Sequence, residues 1–132
     1  MTDVAQPALA PQTYAITRAD LVRYAGASGD FNPLHTDEVF TTKIAGYPSV
    51  FAHGMLTMGL TGTLLTDALG NGTLRTFGVR FRSQVWPGDT LTATATITDV
   101  TRGEDGTLVS VDVETVNQKG EVVVSGTATA AL

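Results

Sequence analysis

Along the second half of the chain, apolar and polar residues alternate. Phe77, Val79, Phe81, Ser83 and Val85 interleave with Gly78, Arg80, Arg82 and Gln84. Leu91, Ala93, Ala95 and Ile97 interleave with threonines, and Val109, Val111 and Val113 with Ser110, Asp112 and Glu114. Val122, Val124, Gly126, Ala128 and Ala130 repeat the pattern. A period of two predicts four strands, each with one face inward. Trp86-Pro87-Gly88-Asp89, residues 102–106 and Lys119-Gly120 are short turns, so neighbouring strands run antiparallel.

The first half reads differently. Residues 12–16 suit a short strand. Thr17 and Asp20 form a capping box ahead of Leu21, Tyr24 and Ala25, which recur at helical spacing. Gly26 and Gly29 are expected to end that helix. Asp37 and Glu38 then favour a second helix start, with Val39, Phe40 and Ile44 as its apolar face, broken at Gly46-Tyr47-Pro48. Residues 54–69 are the most apolar segment. Met55, Leu56, Met58, Leu60, Leu64, Leu65 and Leu69 are spread around the helix, which predicts burial on all sides, with Met55 and Met58 as core filler. The segment is too short and too rich in Thr and Gly to span a membrane.

One strand, then helices, then four antiparallel strands is an α+β layout. A curved sheet wrapped around a buried central helix, the hot-dog fold, satisfies it. A ferredoxin-like or cystatin-like sandwich stays open at this level. Residues 1–11, with two prolines and no signal-peptide pattern, are expected to be a flexible lead-in, and residues 12–132 a single domain.

Composition narrows the chemistry. A net charge of −5 argues against nucleic acid or an anionic membrane as partner. The absence of cysteine excludes thiol chemistry and disulfides, and fits a cytoplasmic location. Only two histidines are present, far apart in sequence and in no ligand motif, so no metal and no cofactor are expected. Acid–base capacity near neutral pH concentrates in Asp30-Phe31-Asn32-Pro33-Leu34-His35. Pro33 pushes Asn32 toward extended backbone, so Asp30 and His35 sit in a bend where they can converge on one small reactant. Taken alone, Asp-x-Asn-Pro is also ordinary turn chemistry.

The run from Tyr24 to His35, followed by Ala52-His53-Gly54-Met55-Leu56, resembles the signature of MaoC-like, (R)-specific enoyl-thioester hydratases. Val79-Arg80-Phe81-Arg82 and Pro87-Gly88-Asp89 resemble that family's first long strand and its turn. The block from Ala52 through Gly59 is similar to the catalytic subunit of actinobacterial (3R)-hydroxyacyl-carrier-protein dehydratases. The resemblance implies the hot-dog fold and reversible hydration of trans-2-enoyl thioesters of CoA or carrier protein to (R)-3-hydroxyacyl thioesters. It implies Asp30 and His35 as catalytic groups. The Gly54 N–H is then the donor to the thioester oxygen, at a helix start whose amides lack intrahelical partners. It also implies a homodimer, or a heterodimer with a second hot-dog subunit. Asn32 is expected to brace the loop and His53 to be a structural histidine in support. Arg80 and Arg82 either meet carrier phosphates or are simply solvated. Thr41 and Gly62 depart from the family pattern, which has smaller Ala or Ser at the first and, in some members, Ser at the second. A hot-dog thioesterase and a non-catalytic acyl-binding subunit are the alternatives.

Overall fold

The computed structural model describes residues 8–132. Five strands form one antiparallel sheet: β1 (Gln12–Ala15), β2 (Leu74–Phe81), β3 (Thr90–Gly103), β4 (Gly106–Val116) and β5 (Val122–Ala131). Their order across the sheet is β1-β3-β4-β5-β2. Helix α1 (Arg18–Ser28), the four-residue α2 (Pro33–Thr36) and α3 (Gly54–Leu69) lie between β1 and β2 in the chain. Helix α3 packs on the inner face of the sheet, which is the hot-dog arrangement. Leu64 and Leu65 meet Ala93, Ala95, Val109, Val111, Val113 and Ala128 there. A second apolar cluster joins Ile16, Leu21, Val50, Ala52, Val85, Leu91 and Val123 beneath α1 and the start of α3.

The alternation of β3 and β4 is observed as expected, with Leu91, Ala93, Ala95, Val109, Val111 and Val113 inward. Elsewhere the structure departs from it. Strand β2 stops at Phe81 instead of running on to Val85, because the N–H groups of Arg82 and Ser83 both turn to the one carbonyl of Val123. In β5, the register shifts between Thr115 and Val116 of its neighbour, so Val123 and Val124 are both buried. An unpaired residue in one strand has that effect.

Helix α3 is not buried all round. Thr57, Thr61, Leu64 and Leu65 face inward, while Met55 is 55% exposed and so is not core filler. The inward threonines are satisfied locally: Thr61 Oγ1 donates to the Thr57 carbonyl and lies 2.6 Å from Thr115 Oγ1 of β4. Gly26 lies inside α1, which ends instead at Gly29 in left-handed conformation. The expected helix after Asp37 is a single widened turn, π-helical over Phe40–Ile44. Its buried residue is Thr41, and Val39 and Ile44 point outward. The segment read as a lead-in is joined to the sheet at its end. Ala8 bridges Thr96, and the Leu9 N–H bonds the Ala95 carbonyl. Residues 1–7 of that segment lie outside the described residues. Among the described residues no helix is long and apolar enough to cross a membrane.

Candidate functional site

The site is built where α1, α2 and the start of α3 meet. Thr17 and Asp20 cap α1 reciprocally, as the sequence predicts. The Thr17 N–H, and behind it the Thr17 hydroxyl and Arg23, hold the Asp20 carboxyl below its ordinary pKa. At the other end, Ser28 Oγ donates to the Tyr24 carbonyl and accepts from the Asp30 N–H at 3.1 Å. This turns the chain out of α1 at Asp30. The Asp30 carboxylate then accepts the Asn32 N–H at 3.2 Å. Asn32 is extended (ψ 131°) and its side chain caps α2 by accepting the Leu34 N–H at 2.9 Å, with Pro33 as first helical residue. Asn32 thus ties the bend at Asp30 to the start of α2.

Two residues that the sequence reading did not place in the site hold this segment down. Thr41, fully buried, sets its hydroxyl 2.9 Å from the Pro33 carbonyl and 2.7 Å from that of Asp37. The extra methyl that distinguishes it from the family pattern is accommodated. Glu38 accepts Arg18 at 2.7 Å with one oxygen and the Val50 N–H at 2.8 Å with the other. Both contacts lower its pKa, Arg18 more than Val50. A carboxylate read as a helix-start acid thus fastens α1 to the strand-like stretch leading into α3. Asp37, its neighbour, does cap the turn, accepting the Phe40 N–H at 3.0 Å.

These ties bring Asp30, His35 and His53 together, with one potential donor or acceptor atom of each within 4.8 Å of the others. Asp30 is exposed, His35 half-buried and His53 only 2% exposed. His35 Nδ1 lies 2.6 Å from the Phe51 carbonyl. A carbonyl only accepts, so Nδ1 carries a hydrogen, and in the neutral ring Nε2 then presents the lone pair. His53 Nε2 lies 2.9 Å from the Asp30 carbonyl, and its ring stacks on that of His35 at 3.9 Å and 26°. Sequence separation, the reason for expecting no metal here, is thus overcome by the fold. The three residues are nevertheless poorly arranged as ligands. Stacked rings with centroids 3.9 Å apart are spaced wider than the about 2.0–2.1 Å at which a first-row ion is held by each ligand, and His53 Nε2 is already taken by the Asp30 carbonyl.

Gly54 opens α3, and no hydrogen bond to its N–H is found among the described residues. His53 makes no side-chain cap either, so the positive end of α3 is bare. His35, Gly54, Thr57, Phe81 and Arg82 line one cavity of about 390 Å³. The glycine has a packing role that its sequence position did not reveal. A β-carbon there would sit 3.1 Å from the Phe81 ring, so the missing side chain makes room for that ring. Arg82 reaches both this cavity and the groove on the outer face of the sheet, where it bonds Ser125 through Nε at 3.1 Å; Arg80 lines the outer groove alone. Gly62 abuts Phe77.

A family model, the MaoC like domain, matches residues 2–119. The chain belongs to the MaoC-like domain family. Over 78 residues, 57% of the chain, it is 41% identical to 3-hydroxyacyl-thioester dehydratase Y of Mycobacterium tuberculosis, of which it covers 27%. It is 35% identical over 104 residues to the (R)-specific enoyl-CoA hydratase of Rhodospirillum rubrum, covering 73% of this chain and 67% of that one. The chain thus spans about a quarter of the first relative and two-thirds of the second. Among solved structures, the (R)-hydratase from A. caviae involved in PHA biosynthesis superposes with a TM-score of 0.85 at 29% identity, covering 96% of this chain and 95% of that one. These likenesses support the α+β hot-dog reading and the MaoC-like assignment together.

Proposed function

We propose that this MaoC-like domain adds water reversibly across trans-2-enoyl thioesters, of CoA or of a carrier protein, giving (R)-3-hydroxyacyl thioesters. The observation that carries this reading is the approach of the Asp30 carboxylate to the His35 imidazole beside the bare start of α3. A water between them donates one hydrogen to Asp30 and the other to His35 Nε2, which leaves its lone pair for C3. As the oxygen–C3 bond forms, the C2–C3 π electrons move toward the thioester oxygen. Asp30 takes one proton, and the other stays on the new hydroxyl, steadied by His35. The Gly54 N–H stabilises the enolate oxygen, a contribution of about 2.7–4 kcal/mol for such donors. Protonated Asp30 then returns its proton to C2, and the carboxylate is restored. In this division of labour His35 orients the water and Asp30 carries the proton. A positioned acid–base pair of this kind is worth about 10²–10⁴-fold in rate.

The reading treats residues 12–132 as one hot-dog unit that needs no metal or redox cofactor and works in the cytoplasm. A second hot-dog subunit, identical or different, would pair with it, and the open edge of β2 is available for that. The experiment is incubation with crotonyl-CoA, following loss of the conjugated double bond alongside release of free thiol. Loss of the double bond without thiol is expected. Thiol release with the double bond intact would replace hydration by thioester hydrolysis.

A further inference from the structure

His53 is an expensive residue to bury. It is 2% exposed, and among the described residues its Nδ1 has no hydrogen-bond partner. A buried polar atom left unpaired costs about 1–3 kcal/mol. An apolar side chain would fill the same space without that cost. What an apolar residue could not supply is the other nitrogen, 2.9 Å from the Asp30 carbonyl, together with a flat polar ring stacked 3.9 Å from His35. Tyr24 of α1 packs against the same ring, with centroids 4.8 Å apart. His53 also directly precedes Gly54, the proposed oxyanion donor.

We infer that His53 is the positioning residue of the acid–base pair: its Nε2–H holds the Asp30 backbone while its ring sets the plane of His35. The inference rests on the hydration reading and deepens it. It carries a specific consequence. The Asp30 carbonyl requires hydrogen on His53 Nε2, and the Phe51 carbonyl requires it on His35 Nδ1. The two stacked rings are therefore opposite tautomers. One face of His35 is fixed by the stack and its Nδ1 by the carbonyl, so the direction of Nε2 is fixed with them. An imidazole without the stack keeps the hydrogen bond but can tilt about it. Geometry of this kind acts on kcat, because a misplacement of about 1 Å can cost around 10²-fold in a positioned reaction.

Two tests decide it. With only two histidines in the chain, long-range ¹H–¹⁵N spectra of the unmodified protein at alkaline pH resolve both rings without variants. One Nδ1–H and one Nε2–H form are expected, and the same tautomer in both rings overturns the inference. In kinetics, His53→Phe keeps a flat ring but loses the donor. It is expected to lower kcat about 10–100-fold, as loss of a supporting partner does at comparable sites, with KM moving less than about twofold. His53→Gln, which keeps an amide N–H at the reach of Nε2, is expected to recover part of that loss. In His53→Phe combined with Asp30→Asn, the loss should be no greater than in Asp30→Asn alone, because the tether has nothing left to aim. Fully additive losses, or a fall in Tm with kcat kept, overturn it. If the unmodified protein hydrates no enoyl thioester, the functional proposal fails by itself, and the tautomers still decide whether His53 holds the pair as inferred.

Discussion

The β3–β4 hairpin and the segment between α1 and α3 are stabilised in opposite ways. In the hairpin, side chains of one type repeat every second residue and backbone groups satisfy each other across the ladder. In residues 29–53 no regular element exceeds five residues. There the backbone is held by side chains: Ser28 to Asp30, Asp30 to Asn32, Asn32 to Leu34, Thr41 to Pro33, Glu38 to Val50. The first kind of region stores stability in buried area and tolerates exchange of one apolar residue for another. The second stores little area but sets directions, which an acid–base pair needs. Damage to the two should therefore separate, with activity failing in one and stability in the other.

The widest separation is expected at Asp30. Asp30→Asn removes the proposed proton acceptor from an exposed position, and a loss of about 10²–10⁴-fold in kcat is expected. Asparagine keeps a side-chain oxygen that can accept the Asn32 N–H, so Tm should hardly move. Enoyl hydration rates and a thermal melt on the same preparation check both halves. Near-normal turnover would remove Asp30 from the chemistry. At the opposite pole stands Leu65, fully buried between α3 and the sheet. Leu65→Ala should cost about 2–5 kcal/mol of stability by denaturant titration, while turnover per folded molecule remains. Gly126 of β5 marks a harder limit, where the sheet pairs with β2. A β-carbon there would lie 2.7 Å from Val79 Cα, against backbone that cannot step aside. Gly126→Ala should therefore cost at least the roughly 1–3 kcal/mol of ordinary overpacking.

The same contrast explains what could be read from the sequence. The inward faces of β3 and β4 were legible because alternation is a local property, as were the capping box of α1 and the turn at Gly88. The convergence of Asp30 and His35 was legible as a possibility, since Pro33 and the Asn32 cap act within a few residues. What was not legible depended on contacts between distant segments. Glu38 looks like any helix-start acid until Arg18 and Val50 are seen on its two oxygens. The stack of His53 on His35 joins residues of two elements, and nothing in either local pattern announces it. Helix α3 misled for a related reason. Its apolar residues are distributed all round, yet it is the small threonines 57 and 61 that let it settle onto β4, leaving Met55 outside. The end of β2 at Phe81 likewise depends on a carbonyl of β5 taking two donors.

An intermediate effect is expected at Asn32, whose role joins the two regions' logic. Asn32→Ala removes the acceptor of the Leu34 N–H and the start signal of α2. Such caps are worth about 0.5–2 kcal/mol. Because α2 has only four residues and carries His35, the loss should appear as a loosened acid–base pair more than as unfolding. A fall in kcat of about tenfold is expected, with Tm reduced only slightly. If Asn32→Ala melts several degrees lower and keeps its turnover, the side chain supports the fold at large and does not aim the site.

The smallest effect, and the one with a definite pH signature, belongs to Glu38. Its folded-state pKa is lowered, first by Arg18 and then by the Val50 N–H. A carboxyl lowered on folding contributes stability above its unfolded pKa, and that contribution is lost as pH falls through the lower, folded value. Glu38→Gln abolishes this titration while keeping the side chain's shape. The unmodified protein should therefore melt above the variant at neutral pH, and the gap should close on acidification below about pH 4.3, the ordinary glutamate value. Asp20, which is lowered as well, titrates in both proteins and cancels in the difference. Added salt should narrow the gap at neutral pH, because Arg18 and Glu38 are both well exposed. A gap that persists unchanged into acid would mean that Glu38 acts by packing alone. A gap insensitive to salt but lost in acid would place its effect in the bond from Val50 and leave the Arg18 pair without weight.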